Sequence, residues 1–274
     1  MNANEEFANE VKQNIQKLSK DADFRGLSNV WLREAGRASY FYNFSWLGRP
    51  IIQVPQDIYA IQELVWQVKP DLIIETGIAH GGSLILSASL LAMLDYVDAV
   101  ATKMSIDPLQ SKRRVIGIDI EIRSHNRKAI SEHPMAHLID LHEGSSIDTA
   151  ITDKVRAQAS QYSKVLVMLD SNHTHAHVLE ELKLYAPMVS QGSYCVVMDS
   201  SIDNLPEGHI TNRPWGKGNN PKTALFAYLD ALKTGSGQIG DDGKSLEFDI
   251  DKDIESKLMV SGALDGFLRR RVIP

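Results

Sequence analysis

Residues 69–83 read Lys69-Pro70-Asp71-Leu72-Ile73-Ile74-Glu75-Thr76-Gly77-Ile78-Ala79-His80-Gly81-Gly82-Ser83. Pro70 lacks a backbone N–H and stops the helical spacing of Ile58, Ile61, Leu64, Val65 and Val68 that begins at Asp57. Leu72 to Glu75 then predicts a short apolar strand closed by Thr76-Gly77, and an apolar helix is expected from Ser83 to about Tyr96. Glycines at 77, 81 and 82 permit a tight turn and close approach of a ligand to backbone. Strand, glycine turn and helix in this order open a doubly wound α/β fold.

Outward from this unit the alternation continues. Strands are predicted at Val115 to Ile120, His137 to Leu141, Lys164 to Asp170 and Ser193 to Asp199. Helical stretches separate them at Ser124 to His133, Ile147 to Ser160 and His175 to Ala186, and another follows from Lys222 to Leu232. The strands are continuously apolar, so both faces of the sheet should be covered by helices. The expected fold class is α/β: a doubly wound, mostly parallel Rossmann-like sheet with helices on both faces and an N-terminal helical appendage.

Residues 1–56 form that appendage and 57–274 the main domain. Phe7, Val11, Ile15 and Leu18 give an amphipathic helix over Glu5 to Lys20. The stretch from there to Pro55 is rich in aromatics but lacks sustained periodicity, which predicts irregular packed structure. Gly235 to Lys244 reads as turns, with a strand-like tail to Pro274.

A formal net charge of -6 offers no attraction for a polyanion, so nucleic acid is excluded as a partner class. The start, Met1 to Glu10, lacks the basic and apolar segments of a secretory signal. The apolar run Leu84 to Leu94 carries serines and is shorter than the ~20 residues a bilayer needs, so no membrane span and a cytoplasmic location are expected. Cys195, the single cysteine, sits in the run Tyr194-Cys195-Val196-Val197-Met198 and reads as a packed core residue.

In an open α/β sheet, ligands bind beyond the carboxyl ends of the strands, where strand order reverses. Glu75, Asp119, Asp170 and Asp199 each end a predicted strand. The spacing after Glu75 is not G-x-G-x-x-G, so the turn alone leaves cofactor binding and simple helix packing both open. Asp119 stands where a carboxylate can accept from both ribose hydroxyls, and Ser145-Ser146 could flank an adenine or cap a helix. Asp170-Ser171-Asn172-His173-Thr174-His175-Ala176-His177 places an imidazole three residues after a carboxylate, as a metal ligand or a base. His175 and His177 read as surface residues at a helix start. Asp199 can complete a magnesium site with Asp170, since neighbouring parallel strands bring their ends together, or cap the next turn.

These motifs resemble the cephalosporin hydroxylase and rhamnosyl O-methyltransferase family, whose members look like class I methyltransferases. The likeness spans Trp46 to Arg271. It rests on Trp46-Leu47-Gly48, Gln53-Val54-Pro55, the Lys69 to Gly77 and Gly81 to Ser83 segments, Gly117-Ile118-Asp119, Asp170-Ser171-Asn172-His173, Asn212 to Pro221, and Gly266-Phe267-Leu268-Arg269-Arg270. The resemblance implies an S-adenosylmethionine-dependent O-methyltransferase acting on a hydroxyl of a sugar or glycosylated metabolite. By it, Glu75, Gly77, Ala79, His80, Gly81, Gly82 and Ser83 hold the methionine part, Asp119 the ribose, and Ser145 and Ser146 the adenine side. Asp170 and Asp199 bind Mg2+, and His173 removes the acceptor proton with Asp170 beside it. One departure stands out: the family pattern shows an acidic pair where this chain has Met198-Asp199, and Asp203 is the candidate substitute. The competing readings are an iron-dependent hydroxylase and a non-catalytic nucleotide-binding protein of the same fold. The partners expected are a small-molecule or glycan acceptor and a second copy of the chain, in a homo-oligomer.

Overall fold

The computed structural model describes residues 2–235 and 238–273. Two helices, α1 (Ala3–Lys20) and α2 (Ala22–Arg37), lead through a 3-10 turn to a hairpin of β1 (Phe44–Trp46) and β2 (Arg49–Ile51). Helix α3 (Pro55–Val68) then feeds β3 (Leu72–Thr76), α4 (Gly82–Thr102) and β4 (Arg114–Asp119). The alternation runs on through α5 (Ser124–Ser131), β5 (Ile139–Glu143), α6 (Thr149–Ala159), β6 (Val165–Leu169), α7 (His175–Tyr185) and β7 (Tyr194–Val197). After a long loop come α8 (Pro221–Lys233), β8 (Phe248–Ile250), α9 (Lys252–Leu258) and β9 (Phe267–Arg270).

The main sheet has the order β5-β4-β3-β6-β7-β9-β8. Strands β3 to β7 pair in parallel and β9 is antiparallel to both its neighbours, so the expected doubly wound, mostly parallel sheet is present. Strand order reverses between β3 and β6, which fixes where a crevice opens. The period of two sends alternate side chains to opposite faces. Ile73, Leu166, Met168 and Val196 join the core under α3 and α4, while Leu72, Ile74, Val167 and Val197 join the core under α6, α7 and α8. Cys195 is buried in the second core, as its run predicts, and burial pushes its thiol up.

Four expectations need correction. The stretch from residue 21 to Pro55 is not irregular. It holds α2, capped by Asp21, and a hairpin whose Leu47 and Gly48 both have positive φ. The turn matches the mirror-image type that follows the right-handed strand twist. Helix α2 escaped the periodicity reading because its buried positions are the small Ser28 and Ala35, whereas Leu27 and Trp31 face outward. The tail is not all strand, since α9 interrupts it and receives α1 along its side.

Third, α4 runs past Tyr96 to Thr102 and is, by length and composition, long and apolar enough to cross a membrane. Its serines do not end it: Ser89 returns its hydroxyl to the Leu86 carbonyl and accepts from the Trp46 indole. The first half of α4 is buried, including Leu84, Ile85, Leu86, Ala88 and Leu91. Fourth, His175 and His177 are half-buried and engaged by neighbours rather than being surface groups. His175 Nδ1 lies 2.8 Å from Thr223 Oγ1, and His177 Nε2 lies 3.0 Å from Ser146 Oγ and 3.1 Å from Ser171 Oγ.

Candidate active site

Strand β3 delivers Glu75 to the sheet end as a buried carboxylate, 1% exposed. The Ser83 hydroxyl donates to its Oε1, and Oε2 is buried with no protein partner. Burial pushes this carboxyl up to about 8, with the Ser83 hydrogen bond pulling the other way. An orphaned, solvent-excluded carboxylate oxygen calls for a donor from a ligand. A cationic amino group satisfies both its hydrogen bond and its charge.

The turn after β3 is shaped by its neighbours. Gly77, at φ +81°, passes so close to β6 that a Cβ there would stand 2.0 Å from the Asp170 carbonyl oxygen. Gly82 likewise leaves room for the Pro50 carbonyl of the hairpin, which a Cβ would meet at 2.2 Å. Between them Ala79 holds the sparsely populated positive φ of 43°. Asp119, at the end of β4, fixes this strained turn: its Oδ2 accepts from the N–H groups of Ile78 at 3.0 Å and Ala79 at 3.3 Å. The Asn126 amide caps the Ala79 carbonyl at 3.1 Å. One oxygen of Asp119 is therefore spent on the protein, while Oδ1 accepts only from Glu121 N–H at 3.2 Å and keeps lone-pair capacity.

Across the switch point, β6 and β7 supply the second half of the site. Asp170 and Asp199 follow their strands, and His173 lies in the turn before α7. Their ligand atoms all lie within 4.8 Å of one another. His173 Nε2 sits 3.0 Å from Asp199 Oδ2, and the edge of its ring meets the Trp215 ring at a centroid distance of 4.7 Å. Trp215 comes from the Asn212 to Pro221 loop, so that loop reaches the site and buttresses the imidazole. Burial pushes the Asp170 carboxyl well up, and the charges of Asp199, Glu75, Glu181 and Asp57 push in the same direction. Asp57 itself rises to about 7, chiefly from burial. Carboxyls crowded this closely around Asp170 resist ionising together, and a cation arriving among them would relieve that cost.

A cavity of about 230 Å3 joins the two halves. Gly77, Ala79, His80, Gly82, Ser83 and Asp119 wall one side, and Asp170, His173 and Asp199 the other. Glu75 lies buried beneath Ser83. Gly81 does not line the cavity and packs against Ile130. Ser145 and Ser146 also lie off it. Ser146 is buried, with its hydroxyl on His177 and its carbonyl accepting from the Tyr185 hydroxyl at 2.8 Å.

Met198 is 4% exposed and packs in the α3/α4 core, so it brings no donor to the site. Asp203 does not substitute. Its Oδ1 accepts from Gly218 N–H at 3.0 Å and from the Asn220 amide at 2.7 Å, anchoring the loop instead. Sequence reasoning missed the wall given by Tyr42, Pro50, Ile51 and Ile52, and the base of the pocket at Ser171. The signal for the first was the Leu47-Gly48 pair between two short apolar runs.

A doubly wound sheet with this order, carrying an acidic rim at its switch point, defines the methyltransferase-like class of α/β proteins. The chain belongs to the Rhamnosyl O-methyltransferase/CmcI family, whose model matches residues 38–271. It is 27% identical over 237 residues to a rhamnosyl O-methyltransferase of Mycobacterium tuberculosis, covering 84% of this chain and 82% of that one. A rhamnosyl O-methyltransferase of Mycobacterium leprae is 28% identical over 195 residues, covering 69% of this chain and 74% of its own length. Among solved structures, apo CmcI superposes with a TM-score of 0.52 at 18% identity, covering 86% of this chain and 79% of CmcI. At that identity the likeness speaks for the fold.

Proposed function

We propose that the chain transfers a methyl group from S-adenosylmethionine to a hydroxyl of a sugar or glycosylated small molecule. The observation that carries this reading is one cavity walled by the Gly77 to Ser83 turn and by the Asp170, His173 and Asp199 cluster, with the orphaned Glu75 oxygen buried beneath Ser83 at its edge. The relatives named rhamnosyl O-methyltransferase support the choice of a sugar acceptor.

S-adenosylmethionine supplies an electrophilic methyl on a sulfonium centre, and Mg2+ supplies a Lewis acid that lowers the pKa of the acceptor hydroxyl. The cluster fits such an ion: two hard carboxylate donors and an imidazole, in a volume already crowded with negative charge. Asp170 and Asp199 would hold it. Glu75 accepts from the amino group of the donor molecule, the Gly77 to Ser83 backbone cradles its chain, and Asp119 Oδ1 takes a ribose hydroxyl. His173 turns Nε2 toward Asp199, which leaves Nδ1 as the atom that takes the acceptor proton. Trp215 shields this imidazole from water and fixes its plane. The rest of the rate comes from holding hydroxyl and methyl in line at the switch point. Negative potential over the cavity favours a sulfonium donor over the neutral thioether product, which helps the product leave.

The hydroxylase alternative requires two histidines and one carboxylate at a metal. Among the described residues the cluster offers one histidine and two carboxylates, and His175 and His177 are engaged elsewhere. The test is mass spectrometry of sugar nucleotides and rhamnosyl glycosides incubated with protein, S-adenosylmethionine and Mg2+. A product heavier by one methylene, with release of S-adenosylhomocysteine, is expected. Protein that binds the donor yet turns over no hydroxylated acceptor from the panel sinks the reading.

A further inference from the structure

Gln53-Val54-Pro55 leads into α3, and Asp57 follows in the first turn of that helix. Asp57 is 1% exposed and does not line the crevice at Asp170, His173 and Asp199. Packing alone would favour an apolar residue in so buried a place. A carboxylate in a first helical turn ordinarily serves the N–H groups of its own helix. Asp57 Oδ2 instead accepts from the backbone N–H of Gly262, 205 residues along the chain, at 2.7 Å. Gly262 lies against two carboxylates at once: a Cβ there would stand 3.2 Å from Asp57 Oδ2 and 3.8 Å from Asp199 Oδ1. Val54 closes the third side, 3.4 Å from the same point. The segment before α3 therefore packs Asp57 and Gly262 directly behind the rim residue Asp199.

Asp199 needs such support. It holds φ 56° and ψ 17°, a left-handed conformation that a residue with a side chain adopts at a cost. A conformation of that kind persists only where its surroundings over-determine it. Residues 262–266 do so from both sides of Asp199. The Val197 N–H donates to the Gly266 carbonyl at 2.8 Å, the Ser200 hydroxyl to the Leu264 carbonyl at 2.6 Å, and the Ser201 N–H to the Gly262 carbonyl at 2.9 Å. The Gly262 residue thus joins two bonds: its N–H goes to Asp57, and its carbonyl holds the turn that Asp199 begins. Met198 is buried in the core, so Asp199 is the carboxylate that β7 brings to the cluster, and its aim decides how that side meets a cation.

We propose that Asp57 is a positioning residue of the cation site: through Gly262 it holds the turn that aims Asp199 at Asp170 and His173. This role rests on the methyl-transfer reading and on the Asp170 and Asp199 cation site within it. It is tested on the full chain, without donor or acceptor, by titration with Mn2+, which takes the same oxygen donors as Mg2+. The free ion is followed by its paramagnetic resonance signal, and S-adenosylmethionine affinity and melting temperature are measured beside it. Asp57→Ala should weaken Mn2+ binding about tenfold, while donor affinity changes less than about threefold. Asp57→Asn keeps an oxygen for the Gly262 N–H and should stay within about threefold of wild type. Gly262→Ala crowds both carboxylates without removing a hydrogen bond, and it too should weaken Mn2+ binding. A residue that serves stability alone would lower the melting temperature and leave the Mn2+ affinity of the folded protein in place. Wild-type Mn2+ affinity in folded Asp57→Ala, or in Gly262→Ala if Asp57→Ala does not fold, therefore overturns the positioning role alone. So does Asp57→Asn binding as weakly as Asp57→Ala, because the effect would then belong to the charge and not to the Gly262 bond. Wild-type protein that binds S-adenosylmethionine but no Mn2+ overturns the cation site and this role with it, and leaves the donor crevice standing. Protein that binds neither overturns the transferase reading as a whole.

Discussion

The two sides of the switch point are built differently. On the β3/β4 side protein hydrogen bonds already hold the groups: Asp119 carries two N–H groups of the turn after β3, and Ser83 reaches Glu75 eight residues back. On the β6/β7 side Asp170, His173 and Asp199 face one another with one close polar contact between them, and Trp215 arrives from a distant loop. A preformed cradle suits a donor that is the same in every turnover. An under-satisfied acidic cluster suits groups that must take up a cation and move a proton.

This contrast can be broken by substitution. Asp170→Asn removes a carboxylate from the cluster and should lower turnover by about 10³-fold with loss of Mg2+ dependence, measured by initial rates against metal concentration. His173→Ala should lower turnover roughly 10²-fold with donor affinity intact, and a donor Kd that shifts in parallel would assign His173 to the cradle instead. Glu75→Gln acts on the other side. It should weaken donor binding about 30-fold.

Glu75→Gln also changes stability with pH. Burial raises the native Glu75 carboxyl from its ordinary 4.5 to about 8, so the native state holds this proton more tightly than the unfolded chain. The group leaves stability intact below about pH 4.5, erodes it as pH climbs toward 8, and above that costs on the order of 5 kcal/mol. Asp57, raised to about 7, acts in the same direction. The variant should therefore lose less melting temperature than wild type between pH 5 and pH 9, read by calorimetric unfolding without ligand. The smallest effect is expected from Ser146→Ala. Its hydroxyl bonds His177 away from the cavity, so donor affinity should change less than about threefold, with a stability loss near 1 kcal/mol.

The sequence made the β3/β4 side legible because its information is local: apolar strand, terminal carboxylate, glycines, helix. The same locality exposed Asp170 and Asp199 just past the ends of neighbouring strands. Less was visible wherever the partner lies far along the chain. Helix α2 hid behind a small-residue contact face, and Pro50 entered the cavity wall only because Gly82 admits its carbonyl. Asp203 looked like a spare carboxylate until the loop it anchors was in view. That Ser146 turns inward to His177, off the cavity, follows from the turn's backbone path, which is a tertiary property.

The most direct test is calorimetric titration of the full chain with S-adenosylmethionine, run beside Gly77→Val, whose side chain must collide with the Asp170 carbonyl. Saturable one-to-one binding by wild type, lost in the folded variant, is the predicted result. Wild-type protein that takes up no S-adenosylmethionine at millimolar concentration, or a variant that binds it equally well, contradicts the assignment of this crevice to the donor.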